Sequence, residues 1–310
     1  IAYGWSSKSI SIGACIALIT LIDNAYTPIA IFNVIFVQYK LDKAAYKRYS
    51  DFLDSRDDEQ LYKGMKLPSI RADISCNDLK FSYGNRLVLD KFNLAIRHGE
   101  KIAFVGESGS GKSTLIKLLT GLLKPQDGRI MIGMHDLKEL ALDSYYDSIA
   151  YISQESPVFD GSLRENLVFD KNVDDCEMIK ALEQVELLDL YKKLEKGLDT
   201  ELGERGITLS GGERQRLALA RLWFTKAEIV ILDEATSAMD NITEETVMNR
   251  VMQLLQAQTV IVIAHRLSSI RKFENVFVLK DGRLVDQGSF DELMENNAYF
   301  RELYLANSTN

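Results

Sequence analysis

The sequence predicts an α/β fold that follows a transmembrane helix, and three observations carry this prediction. Short apolar segments alternate with helical stretches from about residue 70 onward, which is typical of α/β domains. A glycine-rich segment, 106–113, lies between an apolar strand and a helical stretch at 114–119. Ahead of this domain, residues 9–39 form an apolar run whose only charged residue is Asp23.

Length and composition fit one large globular domain or two modest ones. Of the 310 residues, 46% are hydrophobic and 26% are charged, which is enough for a sizeable core. The net charge of −8 gives no support for a nucleic-acid-binding surface, so we expect no nucleic-acid partner. The three cysteines, Cys15, Cys76 and Cys176, lie far apart and are expected to be reduced and structural.

The apolar run 9–39 is longer than the roughly 20 residues that cross a bilayer as a helix. A signal peptide is a poor alternative, because the run is too long and no small-residue cleavage site follows it. A buried core helix stays an alternative, since Asp23, Asn24 and Pro28 interrupt the run. Basic residues follow directly: Lys40, Lys43, Lys47 and Arg48. By the positive-inside rule, we expect the chain after the run to lie in the cytoplasm.

The chain is predicted to divide into a membrane part, a linker and a second domain. Residues 1–60 would be the C-terminal part of a transmembrane domain, residues 61–70 a polar linker, and residues 71–310 the second domain. Seven apolar segments predict strands in that domain: 72–82, 93–96, 101–105, 149–152, 229–232, 260–263 and 276–279. Because the chain begins with Ile1 and not with methionine, we expect a fragment or a processed product.

Residues 106–113 read GESGSGKS and match the phosphate-binding loop pattern G-x-x-x-x-G-K-[ST]. Its glycines let backbone N–H groups turn inward around phosphate oxygens, and the following helix points its positive end at them. Lys112 would reach the β- and γ-phosphates, and Ser113 would offer its hydroxyl to Mg²⁺. The residues expected to contact the nucleotide here are Gly106, Glu107, Ser108, Gly109, Ser110, Gly111, Lys112, Ser113 and Thr114. The pattern predicts a nucleoside triphosphate site.

Two carboxylates follow the apolar segment 229–232 directly. Asp233, at the end of a predicted strand, could hold the Mg²⁺ bound by Ser113. Glu234 could polarise a water molecule aimed at the γ-phosphate. The structural alternative is that both carboxylates only cap the next element.

Residues 209–216, LSGGERQR, lie between these two sites and closely resemble the signature motif of the ATP-binding cassette (ABC) family. The resemblance implies a P-loop NTPase of ABC type, with a mixed sheet core, an antiparallel β subdomain and a helical signature subdomain. It also implies that Ser210, Gly211 and Gly212 bind the γ-phosphate held by the opposite subunit, which agrees with the anion preference of a helix N-terminus. Glu213 stands where glutamine is more usual. We expect little consequence, because its side chain would lie past the phosphate-binding turn.

Several single residues also match positions of the family pattern. The resemblance implies that Tyr83 stacks on adenine and that Gln154 touches Mg²⁺ and couples to the membrane domain. It implies that His265 contacts the γ-phosphate as a switch residue. Residues 237–240 resemble the segment that crosses the dimer interface, with Met239 where leucine is more usual.

Two further segments resemble the exporter branch of the family. Residues 200–206 match a segment that contacts the coupling helices of the membrane domain, and residues 157–166 match the exporter version of the stretch after Gln154. The resemblance covers residues 70–305 strongly. It covers residues 1–60 more loosely, as the tail of the fifth and all of the sixth transmembrane helix of a half-transporter.

The resemblance implies an ATP hydrolase that uses ATP and Mg²⁺ and works by dimer closure, with Glu234, His265, Lys112 and Gln154 as its catalytic residues. The implied partners are a second nucleotide-binding domain, in a homodimer or heterodimer, the transmembrane domain and the lipid bilayer. The expected location is the plasma (inner) membrane, multi-pass in the full-length protein, with the ATPase domain in the cytoplasm. A soluble cassette ATPase, an importer subunit and a non-hydrolysing regulatory cassette are the alternatives. Lipid, drug and peptide cargo all stay open.

Overall fold

The computed structural model of the chain has two compact units, Ile1–Asp58 and Glu59–Asn310. The described part of the first unit is one helix, and the second unit contains the sheets. The described residues are 11–54, 61, 63–67, 70–203, 208–264 and 269–308.

The first unit contains a continuous helix of 42 residues, α1 (Ile12–Leu53). Ser11 caps it, its hydroxyl accepting a hydrogen bond from the Ala14 N–H, and Pro28 lies inside it without ending it. In the described part of the chain, one helix, α1, is long and apolar enough to cross a membrane, with a mean hydropathy of 1.6 over its apolar window. None of its residues is buried, so the structure gives no support for the core-helix alternative.

The second unit is built from short strands and helices that alternate along the chain. The strands are β1 (Ile74–Tyr83), β2 (Arg86–Ile96), β3 (Lys101–Val105), β4 (Asp127–Ile132), β5 (His135–Asp136), β6 (Ile149–Ile152), β7 (Gly161–Ser162), β8 (Glu201–Leu202), β9 (Ile229–Asp233), β10 (Thr259–Ile263), β11 (Asn275–Lys280) and β12 (Arg283–Gly288). The α-helices are α2 (Lys112–Leu119), α3 (Leu142–Tyr146), α4 (Leu163–Val168), α5 (Asp175–Gln184), α6 (Leu188–Lys193), α7 (Gly211–Ala220), α8 (Asn241–Leu254), α9 (Phe290–Asn296) and α10 (Ala298–Ser308).

Six of these strands form the central sheet in the order β12-β11-β3-β10-β9-β6. Strands β11, β3, β10, β9 and β6 run parallel, and β12 pairs antiparallel with β11 at one edge. Ile261 of β10 lies opposite Ile102 of β3 and Ile231 of β9. A second sheet, β2-β1-β4-β5, is antiparallel, and β7 pairs with β8.

Alternate side chains of the central strands enter two separate cores, because successive residues of a strand point to opposite faces. Ile102 and Phe104 pack with the antiparallel sheet and α2, whereas Ala103 and Val105 pack with the helices on the other face. Strand β9 is buried along its whole length, as expected for a parallel strand covered on both faces. The predicted mixed sheet core, antiparallel subdomain and helical subdomain are confirmed.

The topology places the carboxyl ends of β3, β6, β9 and β10 at one edge of the central sheet. The phosphate-binding loop leaves β3 at this edge, Gln154 follows β6, and Asp233 ends β9. In α/β sheets, ligands bind outside the carboxyl ends of the parallel strands. The fold therefore gathers the predicted site residues that follow three separate strands.

Candidate nucleotide site

The phosphate-binding loop has backbone angles that require glycine. Gly106, Gly109 and Gly111 have φ angles of 152°, 84° and 106°. A Cβ on Gly106 would lie 2.3 Å from the Leu279 carbonyl oxygen, and one on Gly111 would lie 2.9 Å from Leu89 Cδ2. The loop is therefore packed closely between β2 and β11 and has no room for side chains at these two positions.

Lys112 folds back over its own loop. Its Nζ donates hydrogen bonds to the carbonyl oxygens of Gly106, at 2.7 Å, and Glu107, at 2.9 Å. It also lies 3.3 Å from Ser110 Oγ. Burial lowers the pKa of Lys112, while the nearby carboxylates of Glu234 and Asp233 act in the opposite direction. The ammonium group is thus held at the mouth of the loop, close to two carboxylates.

Helix α2 starts without a side-chain cap. Gly111 is its N-cap residue and makes no side-chain hydrogen bond, so the first N–H groups of the helix are left for a ligand. Ser113 is exposed, whereas Thr114 is buried. A helix start of this kind is an anion site, and an exposed serine hydroxyl beside it can ligate a metal ion.

Asp233 is the last residue of β9 and is 8% exposed. The Tyr151 hydroxyl, on the neighbouring strand β6, donates a hydrogen bond to Asp233 Oδ2 at 3.0 Å. Burial raises the pKa of Asp233, and this hydrogen bond opposes the rise. Burial also raises the pKa of Tyr151, so the phenol stays protonated and keeps donating. The sequence analysis did not find Tyr151, because its role depends on β6 lying beside β9.

Gln154 and Glu234 form a pair across the same edge. Gln154 Nε2 donates a hydrogen bond to Glu234 Oε2 at 2.7 Å. Glu234 has a positive φ of 51°, and its N–H donates to the Ile263 carbonyl at 3.2 Å. The strand ends just before this left-handed residue, and the two carboxylates have different partners, Tyr151 for Asp233 and Gln154 for Glu234. Residues in such sparsely populated conformations concentrate at functional sites.

The oxygen donors at this edge suit Mg²⁺ chemically. Ser113 offers a hydroxyl, Asp233 a carboxylate and Gln154 a carboxamide, and Mg²⁺ takes oxygen ligands of these kinds. The buried Asp233 carboxylate near Lys112 is the expected partner of a metal ion that neutralises it. The residues present therefore fit the predicted ion.

The signature segment begins helix α7, with Ser210 as its N-cap residue. Glu213 N–H donates to Ser210 Oγ at 3.3 Å, and Ser210 N–H donates back to Glu213 Oε2 at 2.7 Å. The expectation that the Glu213 side chain lies past the phosphate-binding turn is wrong. It folds back onto the start of the helix, in a capping box.

Gln215 connects the signature helix to the carboxylate edge, and the sequence analysis did not find it. Its Nε2 donates to the Glu234 carbonyl at 3.3 Å and to Ser237 Oγ at 3.0 Å. The Ala238 N–H donates to its Oε1 at 2.8 Å. A Cβ on Gly212 would lie 3.0 Å from the Ala238 carbonyl oxygen. The residues after Glu234 therefore pack directly on the start of α7.

The remaining predicted residues are an exposed tyrosine and a histidine that lies outside the described residues. Tyr83 ends β1, is 47% exposed and meets Phe81 edge-on at 5.0 Å between ring centroids. His265 lies outside the described residues, as do residues 204–206 of the exporter-like segment. Among the described residues, no hydrogen bond joins residues 209–212 to the phosphate-binding loop.

Comparisons with known proteins indicate the family of the chain. Residues 89–237 match the family model described as "ABC transporter". The chain is 33% identical over 303 residues to the ATP-dependent lipid A-core flippase of Alcanivorax borkumensis, covering 97% of this chain and 52% of that protein. It is 35% identical over 307 residues to the leukotoxin translocation ATP-binding protein LktB of Mannheimia haemolytica, covering 96% of this chain and 43% of that protein.

A solved structure, of a bacterial Atm1-family ABC exporter with ATP bound, matches with a TM-score of 0.77 and 28% identity, over 99% of this chain and 55% of that one. The chain spans about half the length of the curated relatives it matches. The predicted family and fold are both confirmed. The chain belongs to the ABC transporter family, and its ATP-binding domain follows one apolar helix.

Proposed function

We propose that this chain is the ATP-hydrolysing part of an ABC exporter, whose nucleotide-binding domains close on ATP as a dimer and drive export across a membrane. The observation that carries the proposal is the group of side chains at one edge of the central sheet. Lys112, Asp233, Glu234 and Gln154 come together there from three strand ends. An intact set of this kind argues against a cassette that only regulates.

The residues proposed to contact ATP come from both glycine-rich helix starts and one aromatic position. They are Tyr83, Gly106, Glu107, Ser108, Gly109, Ser110, Gly111, Lys112, Ser113, Thr114, Ser210, Gly211 and Gly212. Ser113, Gln154 and Asp233 would hold Mg²⁺, which when bound supplies positive charge to the phosphate oxygens. In the proposed dimer, each ATP lies between the phosphate-binding loop of one copy and α7 of another.

Lys112 would exchange its bonds to loop carbonyls for bonds to phosphate oxygens, and so offset the charge that develops in transfer. Glu234 would orient or deprotonate the attacking water. Because Gln154 already donates to the Glu234 carboxylate, a water molecule must share or replace that bond. His265, which lies outside the described residues, is proposed as a further contact to the γ-phosphate. A monomer should therefore bind ATP but hydrolyse it poorly.

The apolar helix supplies the proposed link to a membrane. We propose residues 1–60 as the end of a transmembrane domain, 61–70 as a linker and 71–310 as the cytoplasmic ATPase domain, in the plasma (inner) membrane. Helix α1 is long and apolar enough to span, and basic residues follow its apolar part. One relative is named a lipid A-core flippase and another a leukotoxin translocation protein. The proposal is therefore export in a homodimer or heterodimer, without a choice of cargo.

The change Glu234→Gln tests this function. Removing the carboxylate should slow phosphate release by about 100- to 10,000-fold, because general-base assistance contributes rate factors of this size. ATP binding should be kept, and an ATP-bound dimer should accumulate, measured by size-exclusion chromatography with light scattering. Retained full turnover would defeat the role of Glu234.

Glu228→Gln is the matched control, since Glu228 directly precedes the same strand at its opposite end. Glu228 forms an ion pair with Arg71, whose side chain is 72% exposed. The Glu228 side chain is 19% exposed, and glutamine keeps its size and an oxygen that can accept the Arg71 hydrogen bond. Phosphate release by this variant should equal that of the unmodified chain.

A further inference from the structure

The start of α7 already holds an anion that belongs to the chain itself. The Glu213 carboxylate accepts the Ser210 N–H at 2.7 Å, while the Glu213 N–H donates to Ser210 Oγ. Hydrogen bonds from the Ser210 side chain and backbone lower the pKa of Glu213, so the carboxyl group is ionised at neutral pH. This negative charge lies at the positive end of the helix dipole.

The charges around this helix start come from two helices. Arg216 of α7 and Lys193 of α6 both favour the ionised form of Glu213. Arg216 also reaches the glycines, because its Nη1 would lie 3.6 Å from a Cβ on Gly212. The Arg216 Nε is buried and has no hydrogen-bond partner among the described residues. The Glu213 carboxylate thus lies close to two cationic side chains and to the positive end of the helix dipole.

We propose that the Glu213 carboxylate competes with the γ-phosphate of ATP for the start of α7 and so weakens ATP-dependent closure of the dimer. The proposal rests on the function proposed above, which brings the γ-phosphate to Ser210 and Gly212 from a second copy. The carboxylate opposes that approach in two ways. It occupies the Ser210 N–H, and it places a negative charge beside the incoming phosphate.

Glutamine separates the negative charge from the shape of the turn and from the occupation of the Ser210 N–H. It has almost the same size as glutamate, and its amide oxygen can accept the Ser210 N–H, so a capping box can still form. It carries no charge. A residue with a purely structural role would weaken the site when changed, whereas Glu213→Gln should strengthen ATP-dependent closure.

The chain offers a control with the same geometry elsewhere. Helix α9 begins with a capping box of Ser289 and Glu292, in which the Ser289 N–H donates to Glu292 Oε2 at 2.9 Å and the Glu292 N–H donates to Ser289 Oγ at 3.3 Å. No role in nucleotide binding is proposed for α9. Glu292→Gln therefore makes the same chemical change at a helix start that the γ-phosphate does not approach.

The experiment measures the ATP concentration that gives half of the maximal dimer, by analytical ultracentrifugation of the full chain in detergent. All variants carry Glu234→Gln, so that hydrolysis does not deplete the nucleotide. Glu213→Gln should lower this concentration by about two- to fivefold, the effect of one charge at a helix terminus. Glu292→Gln should leave it unchanged, and Ser210→Ala should raise it.

An unchanged or higher concentration for Glu213→Gln would overturn the proposal while leaving the proposed function intact, provided that Ser210→Ala still weakens dimerisation. An equal fall with Glu292→Gln would also overturn it, because the effect would then be a general one of charge. If no variant forms an ATP-dependent dimer, the proposed function fails, and the inference fails with it.

Discussion

Helices α2 and α7 both begin beside glycines, and both are proposed to bind phosphate, yet their first N–H groups have different partners. At α2 the N-cap is Gly111, which has no side chain to offer. At α7 the N-cap is Ser210, and Glu213 completes a capping box with it. The neighbouring cations also differ. At α2, Lys112 donates hydrogen bonds to carbonyl oxygens of its own loop, whereas at α7 Arg216 and Lys193 lie near the Glu213 carboxylate.

In the proposed dimer, each ATP site combines the α2 end of one copy, which we call the strong half, with the α7 end of another copy, the weak half. The α2 end has unpaired donors and a lysine, so it is suited to hold a nucleotide without help. The α7 end has its donors partly satisfied by its own carboxylate, so an arriving phosphate gains less there. In the proposed dimer, this arrangement would favour nucleotide binding to each copy first and closure of the two copies second.

Removing the cation from the strong half should have the largest effect. Lys112→Met deletes the ammonium group that is proposed to offset transition-state charge. We expect kcat/KM for ATP hydrolysis to fall about 1,000-fold, the upper range for losing one such group. A phosphate-release assay at several ATP concentrations measures it.

Lys101→Met is the control for this change. Lys101 is also a lysine tethered to backbone carbonyls, donating to Gly99 at 2.7 Å and Gln256 at 2.6 Å, but it lies at the opposite end of β3. Its loss should leave kcat/KM within about twofold. Comparable losses in the two variants would show that tethered lysines only stabilise the fold.

The strands and the phosphate-binding loop could be predicted because their signals are local. The segment 149–152 was predicted with the observed bounds, and 93–96 was found as the end of the longer strand β2. Tyr151 could not be assigned, because it meets Asp233 only through the pairing of β6 with β9, 82 positions apart in the chain. The strand order that joins them is a tertiary property with no local signal.

The side chain of Glu213 was interpreted wrongly, although a local signal for its position was present. The S-x-x-E pattern at Ser210 and Glu213 is a capping-box signal, and it predicts the observed fold-back of Glu213. In α1, Pro28 lies inside the apolar run, and the helix continues through it. A proline inside a helix removes one backbone hydrogen bond, and a helix of 42 residues retains many others.

The next largest effect tests how closely the phosphate-binding loop packs against β11. Gly106→Ala would place a Cβ 2.3 Å from the Leu279 carbonyl oxygen, at a φ of 152°. We expect the free energy of unfolding of the ATP-binding domain to fall by about 3 kcal/mol, from backbone strain and overpacking together. Thermal or denaturant unfolding, followed by circular dichroism, measures it.

Gly109→Ala distinguishes strain from crowding. Gly109 also has a positive φ, 84°, but the nearest atom to its Cβ would be Arg86 Nη2 at 3.9 Å. This variant should lose only about 1–2 kcal/mol, the cost of a left-handed alanine. If both variants lose the same amount, the packing of Gly106 against β11 does not limit stability.

The smallest effect tests whether the weak half contributes to hydrolysis at all. Ser210→Ala removes a helix cap, which costs about 0.5–2 kcal/mol of stability, and Ser289→Ala should cost a similar amount at α9. Only Ser210 is proposed to donate its hydroxyl to the γ-phosphate, and a hydrogen bond to a charged group is worth about 1.5–3 kcal/mol. Ser210→Ala should therefore slow phosphate release about tenfold or more. Ser289→Ala, which should lose a similar amount of stability, should not slow it. Equal hydrolysis by the two variants would mean that α7 contributes only to the fold, and that the difference between the two helix starts has no consequence for catalysis.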